Sequence, residues 1–368
     1  MAAARLGLMR TFALSLRELW AEKLLVCLAV GAILILFSGG CGHSTSPQDS
    51  SRPLFPVPIG GSTGFINDLG KVVIAARFEA AQPFSEGLAA VKHAGRWGYI
   101  DRSGREVIEY LYRTAGSFHD GMAVVNTGLA EHPVGAIDAT GAFVIQPSFR
   151  YLETADGAEG LLLGEKEPGK GPCYFVRSGN RVLGPYRQAF PFSEGRARVK
   201  DGRDEWIIDT AGNFISKKPV VLDAVRFSGG LIAVRRDGKL GYMDRDGILM
   251  IEPSYDGGGS FSEGLAPVQV DGRWALIDKS GAMVAQLPPE VIFAEPLSDG
   301  LSLVTATAGP HTRKFGYVDK NGQWAVKPVW DEAQPFRDGL AFVGIWKGEV
   351  AVYINRKGKH IWEGTAAR

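Results

Sequence analysis

The sequence predicts an all-β chain of eight tandem three-stranded β-meanders, each about 36 residues long. Three observations predict it. The first is one glycine that recurs through the chain, at Gly104, Gly141, Gly179, Gly212, Gly247, Gly281, Gly322 and Gly358, with Gly70 ahead of them in a partial copy. Successive spacings from Gly70 are 34, 37, 38, 33, 35, 34, 41 and 36, and a period held this long marks a repeat architecture. The second is composition: 48 glycines and 20 prolines in 368 residues, where glycine alone usually takes about 7%, so tight turns are frequent. The third is the body's hydrophobic pattern, short apolar runs between turn residues with no sustained helical period.

Each unit justifies its strands in order. The clearest copy starts at Gln82 and recurs from Phe190, Ser260 and Gln334; weaker copies start at Ser117, Ala158, Phe227 and Leu297. Leu88-Ala89-Ala90-Val91 is the first β-prone run. A turn at Ala94-Gly95-Arg96 leads into Trp97-Gly98-Tyr99-Ile100-Asp101. In Asp101-Arg102-Ser103-Gly104 the carboxylate can accept backbone N–H groups and the glycine can take positive φ. Arg105 to Ile108 is the third strand. Pro147, Pro253 and Pro328 follow the equivalent strands and should stop pairing there, since proline has no N–H to donate.

Arg96-Trp97-Gly98-Tyr99-Ile100-Asp101, Lys239-Leu240-Gly241-Tyr242-Met243-Asp244 and Lys314-Phe315-Gly316-Tyr317-Val318-Asp319 resemble the bacterial WG-repeat family. So do the Phe-Ser-Glu-Gly-Leu-Ala and Ile-x-Pro elements. The resemblance runs over about residues 64–362. It implies a repeat type and no particular activity. Two copies depart: the third has Cys173 for the tryptophan and Arg177 for the aspartate, and the fourth has Trp206 where Gly98 sits.

Ahead of the repeats, Leu24–Phe37 is fourteen residues without a charge, preceded by basic residues. That is short for a spanning helix, which needs roughly 20 apolar residues, and suits a secretory signal. Gly39-Gly40-Cys41 resembles the end of a bacterial lipobox, with Ser38 where an aliphatic residue is usual. The expected organisation is a signal peptide or membrane anchor over 1–40, a Ser/Pro-containing tether over 41–63 with lipid on Cys41, the repeat domain over 64–362 and a tail over 363–368. An uncleaved anchor helix through Gly40 is the alternative. Either way the body faces the periplasm or exterior of a bacterial envelope.

Formal net charge is +1. The first forty residues hold four basic and two acidic side chains, leaving 37 basic and 38 acidic in the rest. A near-neutral body lacks the clustered basic face that nucleic acid needs. The three cysteines, Cys27, Cys41 and Cys173, have neither metal-site spacing nor a disulfide pattern, and Cys173 reads as a small buried hydrophobe. Two acidic rows recur. Asp101, Asp138, Asp209, Asp244, Asp278 and Asp319, with Asn67 and Asn355 at the ends, read as turn formers rather than a cation ring. Glu86, Asp120, Glu159, Glu194, Glu263, Asp299 and Asp338 each precede a glycine, with Gly229 in the fifth place; they read as loop acids or as a negative rim. Phe84, Phe118, Phe192, Phe227, Phe261 and Phe336 read as core between units, and Trp97 and Trp274 as packed rings or sugar platforms.

His43, His93, His119, His132, His311 and His360 form no H-x-x-x-H pair, and no G-x-S-x-G elbow occurs. Gly257-Gly258-Gly259 lies between strands and opens no helix, so it is no phosphate loop. No catalytic residue, cofactor site or metal site is assigned. A propeller-like ring covers both faces of every unit; an open β-solenoid is the alternative. The expected function is non-catalytic binding or scaffolding by a membrane-tethered platform for a protein or glycan. The alternative is a propeller-like carbohydrate-active hydrolase, whose carboxylates would sit in the most aberrant copy, near Glu165–Pro172.

Lipidation of Cys41 requires removal of everything before it. Mass spectrometry of the purified chain should find no peptide from Met1–Gly40. Recovery of an intact Leu24–Gly40 peptide would select the uncleaved anchor.

Overall fold

The computed structural model describes residues 51–365 apart from 129–130, 132, 155–159, 216–221, 223, 225, 310–311 and 346–349. Cys41, Leu24–Phe37, Glu159, His132 and His311 therefore lie outside the described residues. The rest is all β and forms nine small antiparallel sheets. In the second sheet a two-residue leading strand, Ala80–Ala81, is followed by Leu88–His93, Arg96–Asp101 and Glu106–Tyr112, each paired with the one before. Six sheets have this four-stranded form, and the first, fifth and sixth have three strands.

The sheets stand face to face. Middle strands are apolar on both sides: Ala89, Ala90, Val91, Tyr99 and Ile100 are all at most 1% exposed. Such a sheet must be covered twice, because burying one large apolar side chain is worth roughly 1.5–3 kcal/mol. Nine apolar clusters lie between consecutive sheets. A row of nine sheets has only eight interfaces, so the ninth cluster closes the ring. It joins Phe55, Val57 and Ile66 of the first sheet to Leu340 and Tyr353 of the ninth. The architecture is a β-propeller, and the solenoid alternative falls.

There are nine sheets rather than eight because the partial front copy is complete. Leu54–Ile59 pairs with Ser62–Asn67, which pairs with Val72–Phe78. The tether expected over 41–63 thus yields Leu54–Ile59 to the fold. Its sequence LFPVPI buries Leu54, Phe55 and Val57.

The glycine in Trp-Gly-Tyr has a steric role. A Cβ on Gly98 would sit 2.6 Å from the Ile108 carbonyl oxygen, and one on Gly135 2.5 Å from that of Ile145. Gly64, Gly241 and Gly316 meet Ile74, Ile251 and Val326 in the same way. The outer strand bulges as it passes this glycine: Tyr99 faces Ile108, but Trp97 faces Tyr112. All five glycine-bearing sheets show this shift. Pro147, Pro253 and Pro328 lie inside the shifted stretch, so they do not end their strands, which run on to Phe149, Tyr255 and Trp330. An outer edge strand tolerates proline where no ladder N–H is required.

In three of the four sheets where another residue takes the glycine's place the outer strand shortens; the ninth has Val352 there and keeps His360–Thr365. Trp206 stands there in the fifth sheet, whose outer strand is reduced to the single bridge Ile208↔Phe214. Ala275 stands there in the seventh, where Met283–Gln286 remains. In the fourth sheet Leu161 pairs with Val176, and the Gly179 N–H bonds to the Val176 carbonyl. Val176, not Arg177, therefore occupies the aspartate position, and Cys173 takes the place of Gly98 rather than Trp97. Its outer strand stops at Leu183.

Gly104 has φ +85°, and a Cβ there would lie 2.9 Å from Ile74 of the preceding sheet. Gly104→Val should cost about 1–3 kcal/mol, read as a lower denaturation midpoint. An unchanged midpoint would reject the close approach. Ring closure predicts a larger effect on truncation. Ending the chain at Lys327 uncovers Leu301, Leu303 and Tyr317 on one side and Phe55, Val57 and Ile66 on the other. Six side chains at roughly 1.5–3 kcal/mol each rival a net stability of about 5–15 kcal/mol. Residues 52–327 should aggregate or melt well below residues 52–368 in thermal unfolding followed by light scattering.

Candidate functional site

The acidic rows account for most of the repeated polar chemistry. Asp101 Oδ1 accepts the N–H groups of Ser103 at 2.9 Å and Arg105 at 3.0 Å. Asp138, Asp209, Asp244, Asp278 and Asp319 repeat the pattern. Asn67 and Asn355 make it with an amide oxygen, so the turn needs an acceptor and not a charge. Hydrogen bonds from the Thr140 hydroxyl and N–H hold the Asp138 carboxyl below its ordinary range, and Ser280 does the same for Asp278.

The second row crosses between sheets. Ser85 and Leu88 exchange backbone hydrogen bonds around Glu86-Gly87, a two-residue hairpin with both φ positive. Glu86, Asp120, Glu194, Glu263, Asp299 and Asp338 all take φ of 51–54°, a costly region for a residue with a Cβ. The Glu86 carboxylate accepts the N–H of Gly121 in the next sheet's turn at 2.9 Å. Glu194 accepts Gly230, Glu263 accepts Gly300 and Asp299 accepts Gly339. A hydrogen bond to a charged group is worth about 1.5–3 kcal/mol, enough to offset the backbone strain. These acids tie sheets together rather than forming a bare rim.

Two further rows cross the same seams. The hydroxyls of Ser85, Ser193, Ser228, Ser262 and Ser298 donate to the carbonyls of Phe118, Phe227, Phe261, Leu297 and Phe336 at 2.6–2.8 Å. Tyr99, Tyr174, Tyr242 and Tyr317 donate to Gly116, Phe190, Gly259 and Gln334 at 2.7–2.8 Å. Sequence reasoning missed both rows as connectors, although the recurrence of Ser before the acid and Tyr after the glycine was readable. The phenylalanine row is core as expected: Phe118, Phe192, Phe227, Phe261 and Phe336 are at most 3% exposed, and Phe84 is half-buried.

Two concavities among the described residues bear on a binding role. One, of about 480 Å³, is lined by Thr114, Ser117, His119, Glu153, Thr154 and Arg226, among others. These residues come from the third and fourth sheets and from the lead into the sixth. Only the ring's centre brings three such segments together, so the short leading strands face that centre. The other, of about 710 Å³, lies on the eighth sheet, where Leu301–Gly309 and Thr312–Asp319 form the longest hairpin. Ile292, Phe293, Thr305 and Arg313 line it, with Phe293 half exposed.

In the aberrant fourth sheet the carboxylate of Glu165 is engaged locally. Glu165 accepts the Gly169 N–H at 3.0 Å and lies 3.7 Å from Arg150, which shapes its own loop. Glu153, on the leading strand, is the acid that reaches the central cavity. Trp274 is 6% exposed and edges against Phe293, so it packs rather than presents a platform. Cys173 is buried, and Gly257–Gly258 is a leading strand. Among the described residues no group of three His, Cys, Asp or Glu side chains could hold a metal ion.

Residues 64–97, 97–128, 241–274 and 315–345 match the WG containing repeat. Each match opens at or beside a position of the Gly98 row. No curated protein matches the chain in sequence. Among solved structures, the crystal structure of the eukaryotic initiation factor is similar at TM-score 0.60 and 12% identity, over 86% of this chain and 96% of that one. Apo AztD from Citrobacter koseri is more distant, at TM-score 0.43 and 12% identity over 85% and 94%. At this identity the likeness to the initiation factor shows the fold alone, and the chain is a β-propeller that carries WG repeats in four places.

Proposed function

We propose that the protein is a non-catalytic binding or scaffolding platform of a bacterial cell envelope, held to the membrane by lipid on Cys41 or by an uncleaved anchor. Its partner is a protein or glycan of the envelope, and nucleic acid is not among its ligands. The observation that supports this most is the use made of the repeated carboxylates. Glu86, Glu194, Glu263 and Asp299 are spent on bonds between sheets, and Asp101 and its equivalents on bonds within turns. What the ring offers a partner is shape: two broad faces and the concavities on them. A near-neutral body fits recognition by contact rather than by long-range charge.

The full chain, solubilised in detergent and immobilised, should retain a specific envelope component, and the purified chain should release no reducing ends from envelope glycans. Release that follows the chain through purification and disappears in Glu153→Gln would replace this reading with the hydrolase.

A further inference from the structure

We propose that the turns of the ninth and first sheets dock on anionic phospholipid headgroups of the membrane that anchors the chain. The inference rests on the tethered reading above and adds which edge of the ring the membrane takes.

The two turns stand side by side. A Cβ on Gly70 would overlap the Ile361 carbonyl oxygen of the ninth sheet's outer strand, so Leu69 and Lys71 sit next to the stretch that Lys359 opens. The chain enters the fold at the same place. The Arg52 guanidinium holds Asp68 of the first turn at 2.9 Å, and the Arg52 carbonyl accepts from Arg102 of the second. Cys41 is eleven residues ahead of Arg52, a reach of roughly 40 Å at full extension. An anchor at or beside Cys41 therefore keeps this edge of the ring close to the bilayer surface.

These two turns also differ in charge. Six of the nine turns in the row carry aspartate and the fourth sheet's carries Val176, but the two that meet here carry Asn67 and Asn355. Asn355 accepts the N–H groups of Lys357 and Lys359 at 3.0 Å, as Asp278 accepts those of Ser280 and Ala282. The amide keeps the turn and removes a negative charge beside Arg356, Lys357 and Lys359. Elsewhere a turn cation has its own aspartate next to it, as Lys279 has Asp278 and Lys320 has Asp319. Lys357 and Lys359 are exposed and make no ion pair among the described residues. With Arg52, Lys71 and Arg356, five cations face two acids, Asp68 and Asp299. Arg337 and Asp338, 3.8 Å apart, cancel one another.

Leu69 adds an apolar point to the cations. At 65% it is the most exposed of the large apolar side chains described, and equivalent turn positions hold Ser103, Thr140, Ser280 and Lys357. The turn uses only its backbone N–H, which bonds to Asn67. Leucine among cations binds a lipid surface twice over, by apolar burial at the headgroup boundary and by attraction to anionic lipid. A soluble polyanion would take the cations and leave the leucine in water. Docking here also turns the other strand ends outward. In the eighth sheet Leu301 pairs with Asp319 at the turn end and Gly309 with Thr312 at the far end. The concavity lined by Gly309 and Thr312 then stands on the side away from the membrane.

The test reconstitutes the full chain from detergent into vesicles of phosphatidylcholine, alone or mixed with phosphatidylglycerol. Flotation reports whether the vesicles hold the chain, and amine labelling read by mass spectrometry reports which lysines the bilayer covers. In the mixed vesicles at low salt, labelling of Lys71, Lys357 and Lys359 should fall at least about fivefold. It should recover in high salt, which screens the attraction. Lys92 and Lys239, at the far ends of their strands, should label equally throughout. Lys357→Glu with Lys359→Glu should abolish the protection of Lys71 and leave the thermal midpoint unchanged, while the paired arginine variant keeps both. Equal labelling of Lys357 and Lys359 in the two kinds of vesicle overturns the proposal and leaves the tether standing. A chain that floats with neither overturns both. A chain that floats only with the mixed vesicles loses the tether and keeps the docking.

Discussion

The structure depends on the double-sided burial of its sheets. Tyr99, Ile100, Ala89 and Ala90 alternate along two short strands, and all four are buried. One neighbour can cover only half of them. A stack satisfies the inner sheets and leaves two apolar faces at its ends; a ring satisfies every sheet. Nine thin units can therefore share one continuous core, although none of them has a core of its own. Closure here is by packing and not by a shared sheet: the first and ninth sheets keep separate strands and meet through Phe55, Val57, Ile66, Leu340 and Tyr353.

Polar bonds then set the angle at which the sheets meet. Serine hydroxyl to carbonyl, tyrosine hydroxyl to leading strand and carboxylate to glycine N–H all cross the same seam. They make a non-directional apolar contact directional. Burial pushes the Tyr353 hydroxyl up to about 12, so it stays a protonated donor at neutral pH even at the closing seam. The left-handed acids show how local strain and tertiary bonding offset one another. Glu86 accepts an unfavourable φ, and the bond to Gly121 repays it.

Three of the four sheets in which the Gly98 position is filled are irregular, the exception being the ninth with Val352. Cys173, Trp206 and Ala275 each bring a side chain to a point the outer strand's carbonyl would occupy, and the outer strands there are short. The Trp206 ring lies 4.8 Å from Phe214, and Arg198 pairs with Glu205 at 2.9 Å beside it, a different way of finishing a sheet. The central cavity is lined by residues of the neighbouring third and fourth sheets together with Arg226.

The sequence by itself determined the unit: its period, its strand order, its Asp-x-x-Gly turns and its buried phenylalanines. These follow from steric and hydrogen-bonding rules that act over a few residues. The fourth sheet shows the limit: the three-residue spacing to Gly179 selects Val176, whereas matching the motif by residue type selects Arg177. Only the tertiary structure decided what involves residues far apart. It recruited Leu54–Ile59 as a first strand, since LFPVPI gains a partner from the hairpin that follows and covers from Ala89 and Val91 of the second sheet and Leu340 and Tyr353 of the ninth. It spent Glu86 and its row on neighbouring sheets rather than on solvent. It also joined the ninth sheet to the first, because apolar faces nearly three hundred residues apart in sequence have nothing else to cover them.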